Sequence, residues 1–291
     1  MSQIPLHASD RADDPTHEEV GLHEIEEDLA YRRMTIVNVV FFGHPQSQDW
    51  VLIDTGIPGS EKAIVESAEF RFGKDIPPRA IILTHGHIDH VGSLLKLAER
   101  WNVPIYAHEL EHPYLDGTSS YPPPDPLVGG GLMSLLSPMF PRTPIDVQRW
   151  LKPLPADGSV PEMPGWRWIH TPGHSAGHVS LWREKDRSLI VGDAFVTTAN
   201  ESVYAIITQA PEMHGPPQYF TPDWVAAADS VRELAKLEPR LAITGHGRAM
   251  RGPGMLSALH QLAEEFETVA VPQGTKYTLH PATPQDGSAY Q

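Results

Sequence analysis

"AIILTHGHIDHVG", residues 80–92, places a short apolar run just before His85, His87, Asp89 and His90, three histidines and an aspartate within six positions. A short, continuously apolar run of this kind reads as a strand buried on both faces. Val91, Leu94, Leu95, Ala98 and Trp101 then recur at helical intervals, which predicts an amphipathic helix over residues 92–100, and residues 103–107 return as a strand. Strand, polar loop, helix and strand make an α/β arrangement, with chemistry at the carboxyl end of the strand.

Similar signals extend in both directions. TIVNVVFF (35–42) and DWVLIDTG (49–56) read as a strand pair joined by HPQSQ, and residues 61–72 have helical spacing. WRWIHT (166–171), HVSLWR (178–183), SLIVGD (188–193) and LAITGH (241–246) read as strands, with helices over 224–237 and 255–269. Residues 10–28 carry nine acids against the single base Arg11, so residues 1–33 are expected to form a solvated acidic arm. The body is then one domain over 34–272, and 273–291 a loose tail. Within the body, 113–165 is an insertion with twelve prolines and three consecutive glycines. Its apolar stretch LMSLLSPMF (132–140) is expected to form a short helix over the pocket, or else to pack in a subunit interface or in the core.

The formal charge of −15, with no cluster of Lys or Arg, excludes polyanionic partners such as nucleic acid and acidic membranes, and fits a small-molecule substrate. Cysteine is absent, so disulfides, thiolate nucleophiles and thiolate metal sites are excluded, and every metal ligand must be His or carboxylate. The start MSQIPLHASDRADD lacks a basic-then-apolar leader, and no stretch approaches the roughly 18 apolar residues of a membrane span. A cytoplasmic protein is the expectation, with a homodimer as one option for its assembly. No phosphate loop, nicotinamide fingerprint or Ser/His/Asp signature competes with a metal site.

On a loop leaving a strand, His85 and His87 can share one metal while Asp89 and His90 turn to a second position. Four ligands are too few for two ions. Three further candidates lie at strand ends, each followed by a small residue: His174 in HTPGHSAGH, Asp193 in IVGDAF and His246 in ITGHG. This ordered pattern, HxHxDH followed by TPGHSAGH, GDA and TGHG, resembles the metallo-β-lactamase superfamily over about residues 35–250. The resemblance implies a four-layer αββα sandwich. It implies that His85, His87 and His174 hold one divalent metal ion, that Asp89, His90 and His246 hold a second, and that Asp193 bridges them. Zinc is the first expectation for both, with manganese or iron as alternatives. Two metals about 3.5–4 Å apart can clamp a shared water and activate it as hydroxide, with Asp89 and Asp193 as the catalytic carboxylates. Asp54, in LIDTG, matches a position the family uses to orient a ligand, and Thr84, Thr171 and His178 are further candidates that could equally serve local turns.

The superfamily spans many substrates. The absence of Cys, the presence of Asp193 and the lack of a leader speak against a β-lactamase, and FVTTANESVYAI (195–206) lacks the bases that glyoxalase-II-like thioesterases use. Acyl-homoserine lactonases are nearest in layout, although they place a tyrosine within three residues of the bridging aspartate, where this chain has Ala194, Phe195 and Val196. Tyr204 or Tyr219 could substitute as oxyanion donor, and His214 could serve the leaving group. The pocket wall is expected from Met133, Leu136, Met139, Phe140 and Phe195, with the loop PEMHGPPQYFTPDW (211–224) opposite. An apolar cleft favours esters or lactones of apolar small molecules, with phosphodiesters, phosphotriesters or thioesters as alternatives. A rival reading has one iron on His85, His174 and Asp193, acting on a persulfide with dioxygen.

Overall fold

The computed structural model describes residues 4–13, 18–19 (backbone only), 21–126, 128, 135–139, 141–199 and 210–291. The first short strand, β1 (Ile4–Pro5), pairs with a strand far along the chain. After it, eight strands pair in sequence order: β2 (Glu18–Glu19), β3 (Leu22–Glu26), β4 (Leu29–Met34), β5 (Val37–Phe42), β6 (Val51–Ile53), β7 (Ala80–Ile82), β8 (Ile105–Ala107) and β9 (Leu151–Pro153). The pairs from β2 to β6 are antiparallel and those from β6 to β9 are parallel. Parallel pairing needs crossovers, and α1 (Glu61–Phe72) and the pair α2 (Ile88–Val91) and α3 (Leu94–Trp101) supply two of them. A short α4 (His112–Leu115) follows β8.

The second sheet has five strands, ordered β10 (Trp166–His170), β11 (Val179–Arg183), β12 (Ser188–Gly192), β14 (Leu241–Thr244) and β15 (Met250–Arg251). Between them in sequence, β13 (Glu212–Met213) is the partner of β1. The crossover joining the parallel pair β12 and β14 contains α5 (Trp224–Lys236), whose N-cap Asp223 accepts from the amides of Val225 and Ala226. The chain closes with α6 (Gly252–Glu264), α7 (Phe266–Val269) and α8 (Lys276–Leu279).

Side-chain alternation sorts these strands into layers. Val39, Phe41, Leu52 and Ile81 face outward against Ile64, Phe72, Leu94 and Leu97 of α1 and α3. Leu189, Val191 and Ala242 face outward on the other side, against Val231, Leu234, Leu259 and Leu262 of α5 and α6. Val40, Phe42, Val51, Ile53 and Ile82 meet Val179, Leu181, Ile190 and Ile243 between the sheets. The result is the expected four-layer αββα sandwich. Asn38 stitches the sheets together at one end: its amide donates to Gly245 O at 2.7 Å, and its Nδ2 donates to the carbonyls of Thr244 and Gly247.

Both ends of the chain depart from expectation. The anticipated arm at 1–33 is built into the body: β3 and β4 extend the large sheet, and Leu22, Ile25, Leu29 and Tyr31 are buried. Several of its described acids are paired: Arg71 reaches Glu24, Arg183 reaches Asp28 at 2.5 Å, and Arg11 and Arg248 hold the buried Asp13. Those arginines lie far along the chain, apart from Arg11, so a local charge count misses them. The tail expected at 273–291 is also docked. Tyr277 and Ala289 are buried, Tyr114 Oη donates to Ala289 O at 2.7 Å, and Ser120 and Gln291 exchange both backbone hydrogen bonds. In the insertion, the described part of the apolar stretch is α-helical at 135–136 and passes into a 3₁₀ turn at Ser137–Met139, with Leu135 and Met139 exposed.

Candidate metal centre

Four loops converge beyond the carboxyl ends of β7, β10, β12 and β14, and each brings an expected ligand. Ile81 and Leu83 point into the outer core while Ile82 points between the sheets, so the backbone emerging at Thr84 delivers His85 to the sheet ends. Candidate ligand atoms of His85, His87 and His174 lie within 4.8 Å of one another, as do those of His85, His90 and Asp193, and those of Asp89, His90 and His246. Asp193 is central: its Oδ1 is 3.5 Å from His90 Nε2, and its Oδ2 is 3.4 Å from His174 Nε2 and 3.1 Å from His246 Nε2. Asp89 Oδ2 lies 3.3 Å from His246 Nε2, and His87 Nδ1 lies 2.8 Å from His174 Nε2.

Each of four imidazoles is tied outward through one nitrogen and presents the other inward. His90 Nδ1 contacts Asp54 Oδ2 at 2.8 Å, His246 Nδ1 contacts Ile36 O at 2.7 Å, His85 Nδ1 contacts Thr84 Oγ1 at 3.1 Å, and His174 Nδ1 contacts Thr221 Oγ1 at 3.3 Å. Such outward bonds orient metal-binding histidines and set their tautomers. Inside the cluster, His85 Nε2, His90 Nε2 and Asp193 Oδ1 are buried and make no hydrogen bond. Buried polar atoms are rarely left without partners, so three converging orphans fit a bound cation. An all-nitrogen and oxygen donor set of this kind suits zinc, iron or manganese.

Electrostatics agrees. Burial drives His85 and His174 well below the usual imidazole range and lowers His87 to about 4, keeping these rings neutral as ligands must be. Burial opposes charge on His246 and His90 too, but the neighbouring carboxylates win. Asp193 and Asp89 raise His246 to about 10, and Asp193 and Asp54 raise His90 well above its ordinary value. These carboxylates therefore concentrate negative charge at the position where a divalent cation would sit.

The supporting residues take distinct roles. His178 Nε2 accepts from the Asp193 amide at 2.8 Å, so its Nδ1 carries the proton and faces Thr171, whose Oγ1 is 2.8 Å away. Burial lowers His178 to about 3. Thr171 and His178 thus hold the backbone of Asp193 rather than a ligand ring.

Above Asp89, Asp193 and His246 opens a cavity of about 150 Å³, walled by Ile36, Ile57, Ile88, Pro217, Tyr219 and Phe220. A narrower cleft shares His87, Ile88 and Phe220 and runs on past Tyr121, Arg142 and Ile145. Pro217, Tyr219 and Phe220 of the expected 211–224 loop are thus placed in the wall, whereas Phe195, Leu136 and His214 are elsewhere. Phe195 is fully buried in the outer core beneath α5 and α6, because the chain turns after Asp193 and carries the ring away from the metal side. Leu136 is exposed and lines neither space. His214 lies outside the cavity, 2.8 Å from Glu212 and bridged through its backbone to Val196. Met133, Phe140 and Tyr204 fall outside the described residues. Sequence reasoning missed Ile36, Ile57 and Tyr121. It also missed Glu111, a fully buried carboxylate bonded to Gly86 and Gly177. An acid in the run AHELEHPY looks like a solvated helix position, and only its neighbours in space mark it.

Among the described residues no helix is long and apolar enough to cross a membrane. A family model described as the metallo-beta-lactamase superfamily matches residues 32–246. In Bacillus subtilis (strain 168), the probable metallo-hydrolase YflN is 46% identical over 235 residues, covering 80% of this chain and 89% of its own length. A second probable metallo-hydrolase of that organism, YybB, is 31% identical over 199 residues, covering 68% and 76%. A solved beta-lactamase domain protein from Burkholderia ambifaria shares the fold with a TM-score of 0.57 at 22% identity, over 88% of this chain and 80% of that one. The chain belongs to the metallo-β-lactamase superfamily.

Proposed function

We propose that this metallo-hydrolase cleaves carboxylic esters or lactones of apolar small molecules, using two divalent ions, zinc foremost. The observation that carries this reading is the contrast between floor and walls. Asp89, Asp193 and His246 form a charged floor, and isoleucine, proline and aromatic side chains enclose it with no Lys or Arg among the described lining residues. Such walls suit a greasy acyl or alcohol part, and Arg142 in the adjoining cleft donates to the Tyr121 carbonyl. A metal pair bound by these ligands supplies a hydroxide nucleophile at neutral pH and a Lewis acid for the carbonyl oxygen.

The chain's own residues supply the rest. Asp193 is held rigid by His178 through its amide. Asp89 is the most exposed of the seven ligand candidates and borders the cavity, which suits its ionised carboxylate to take up the proton carried by the attacking hydroxide oxygen and pass it to the departing alkoxide. Ile57, Ile88 and Phe220 exclude water around the scissile bond and orient the acyl chain.

The second ligand group, Asp89, His90 and His246, is complete, which favours a dinuclear hydrolase over a single-iron dioxygenase on His85, His174 and Asp193. The test is metal analysis of the purified protein beside hydrolysis of a lactone, a nitrophenyl ester, a thioester, a phosphodiester and a cephalosporin. Two zinc-like ions per chain with preferential lactone or ester turnover support the proposal. One iron with oxygen uptake and no hydrolysis overturns it, and a preference for phosphodiester or thioester relocates the substrate class.

A further inference from the structure

Glu111 sits just after β8, in the 3₁₀ turn Glu109–Glu111, with its side chain fully buried. Its two oxygens are divided between the two histidine loops. Oε2 accepts from the Gly86 amide at 2.9 Å and from the Tyr121 hydroxyl. Oε1 accepts from the Gly177 amide at 2.7 Å and from the Ser175 hydroxyl at 2.8 Å. Gly86 lies between His85 and His87, and Ser175 directly follows His174. Both glycines are required by this contact. A Cβ on Gly86 would come within 2.7 Å of Tyr121 Oη, and one on Gly177 within 2.8 Å of Glu111 Cγ.

The first loop leaves the eight-stranded sheet and the second belongs to the five-stranded sheet. One carboxylate therefore spans the seam between sheets at the point where His87 Nδ1 and His174 Nε2 meet at 2.8 Å. The other ligand group has separate supports, Asp54 behind His90 and Ile36 O behind His246. A carboxylate is needed because four donors converge, two per oxygen, and two of them are backbone amides that cannot reverse. Glutamine in its place must aim its NH₂ at either Gly86 N–H or Gly177 N–H. The hydroxyls of Tyr121 and Ser175 could rotate to accept, whereas the facing amide could not, so one loop would be pushed away whichever way the side chain flips.

We propose that Glu111 is a positioning residue that sets the spacing of His87 and His174, and through it selectively tightens metal binding at the His85, His87 and His174 group. The proposal rests on the two-metal reading above. Partners of this kind behind metal ligands change affinity by about 10–100-fold.

The test is zinc titration of metal-free protein by calorimetry, with each ligand group isolated in turn. In an Asp89→Ala background, which leaves the His85, His87 and His174 group, Glu111→Gln is expected to weaken zinc binding at least tenfold. In a His87→Ala background, which leaves the other group, Glu111→Gln is expected to change binding less than about twofold. Equal weakening in both backgrounds, or none in either, overturns the proposal. Circular dichroism and thermal unfolding of the metal-free forms check folding. Should Glu111→Gln fail to fold, the Tyr121→Phe, Ser175→Ala double variant decides, since it keeps both amide bonds and removes one hydroxyl donor from each oxygen. Threefold or greater weakening in the first background alone supports the proposal, and no weakening rejects it. If the unmodified chain binds no zinc at all, the metal reading itself fails, a result distinct from a Glu111 substitution without effect.

Discussion

Asp54 and His90 meet at 2.8 Å between Oδ2 and Nδ1, while the other Asp54 oxygen accepts from the Thr84 amide at 2.8 Å. Asp54 thereby fixes both the ring of one ligand and the backbone leading to another, His85. Its own φ of 59° lies in the left-handed region, which Asp and Asn enter most readily among side-chain-bearing residues. Asp54→Asn therefore preserves the turn while opposing one of these bonds. Zinc affinity, measured by competition with a chromophoric chelator, should fall about 10–100-fold with little change in the metal-free fold. An affinity within twofold of the parent would show that Asp54 does not act through His90.

Phe220 lines both the cavity and the adjoining cleft, and its ring centroid is 5.1 Å from that of His87. Phe220→Ala deletes apolar cavity wall, where the proposed acyl chain would lie, but no ligand candidate. The expected outcome is a KM for long-chain nitrophenyl esters raised roughly tenfold, with acetate esters affected much less. Metal content should stay at the parental level. Equal losses for short and long chains would place the acyl group elsewhere.

Asp13 is buried beside Arg11, Arg248 and the Tyr31 hydroxyl, at 3.2, 2.7 and 3.2 Å. Burial alone would raise its pKa, but the two guanidinium groups outweigh burial and hold it below the usual carboxylate range. A carboxyl depressed in the folded state contributes stability above its unfolded pKa of about 3.9, and that contribution disappears as pH falls through the lower folded value. Asp13→Asn should lower Tm at pH 7, and the gap from the parent should narrow below about pH 4. A gap that is constant from pH 7 to pH 3 would contradict this assignment.

The C-terminal segment supports the cleft from outside. Tyr114, bonded to Ala289 O, stacks on Tyr121 at 3.6 Å between centroids, and Tyr121 in turn lies 4.3 Å from the His87 ring. Tyr277 Oη also donates to Pro123 O at 2.5 Å. Deleting residues 282–291 should lower Tm by about 5 °C. It should also reduce kcat/KM, although no ligand candidate is removed. Unchanged Tm and kinetics would mean that the segment is merely draped on the body.

The metal cluster was readable in advance because its densest part is local. His85, His87, Asp89 and His90 share one turn, and the continuously apolar strand before them places that turn at its carboxyl end. His174, Asp193 and His246 were readable for a related reason, since each ends an apolar strand, and strand ends in α/β folds face a common crevice. The four-layer sandwich was legible only through the resemblance those motifs carry, because the strands are apolar almost throughout and the structure alone places neighbours such as Phe41 and Phe42 on opposite faces.

What the linear pattern could not convey was partnership over distance. Glu24 and Asp28 look like solvated acids until Arg71 and Arg183 arrive from other elements. Phe195 looks like a pocket wall because it adjoins Asp193, yet a turn in the backbone sends it into the opposite layer. Glu111 carries no periodic or motif signal at all. The sequence by itself determined the ligand types, their order and the apolar strands that end in them, because those depend on spacing along the chain. Tertiary structure alone decided which buried carboxylate joins the two histidine loops and which side chains wall the cavity, because those depend on how loops from separate sheets meet.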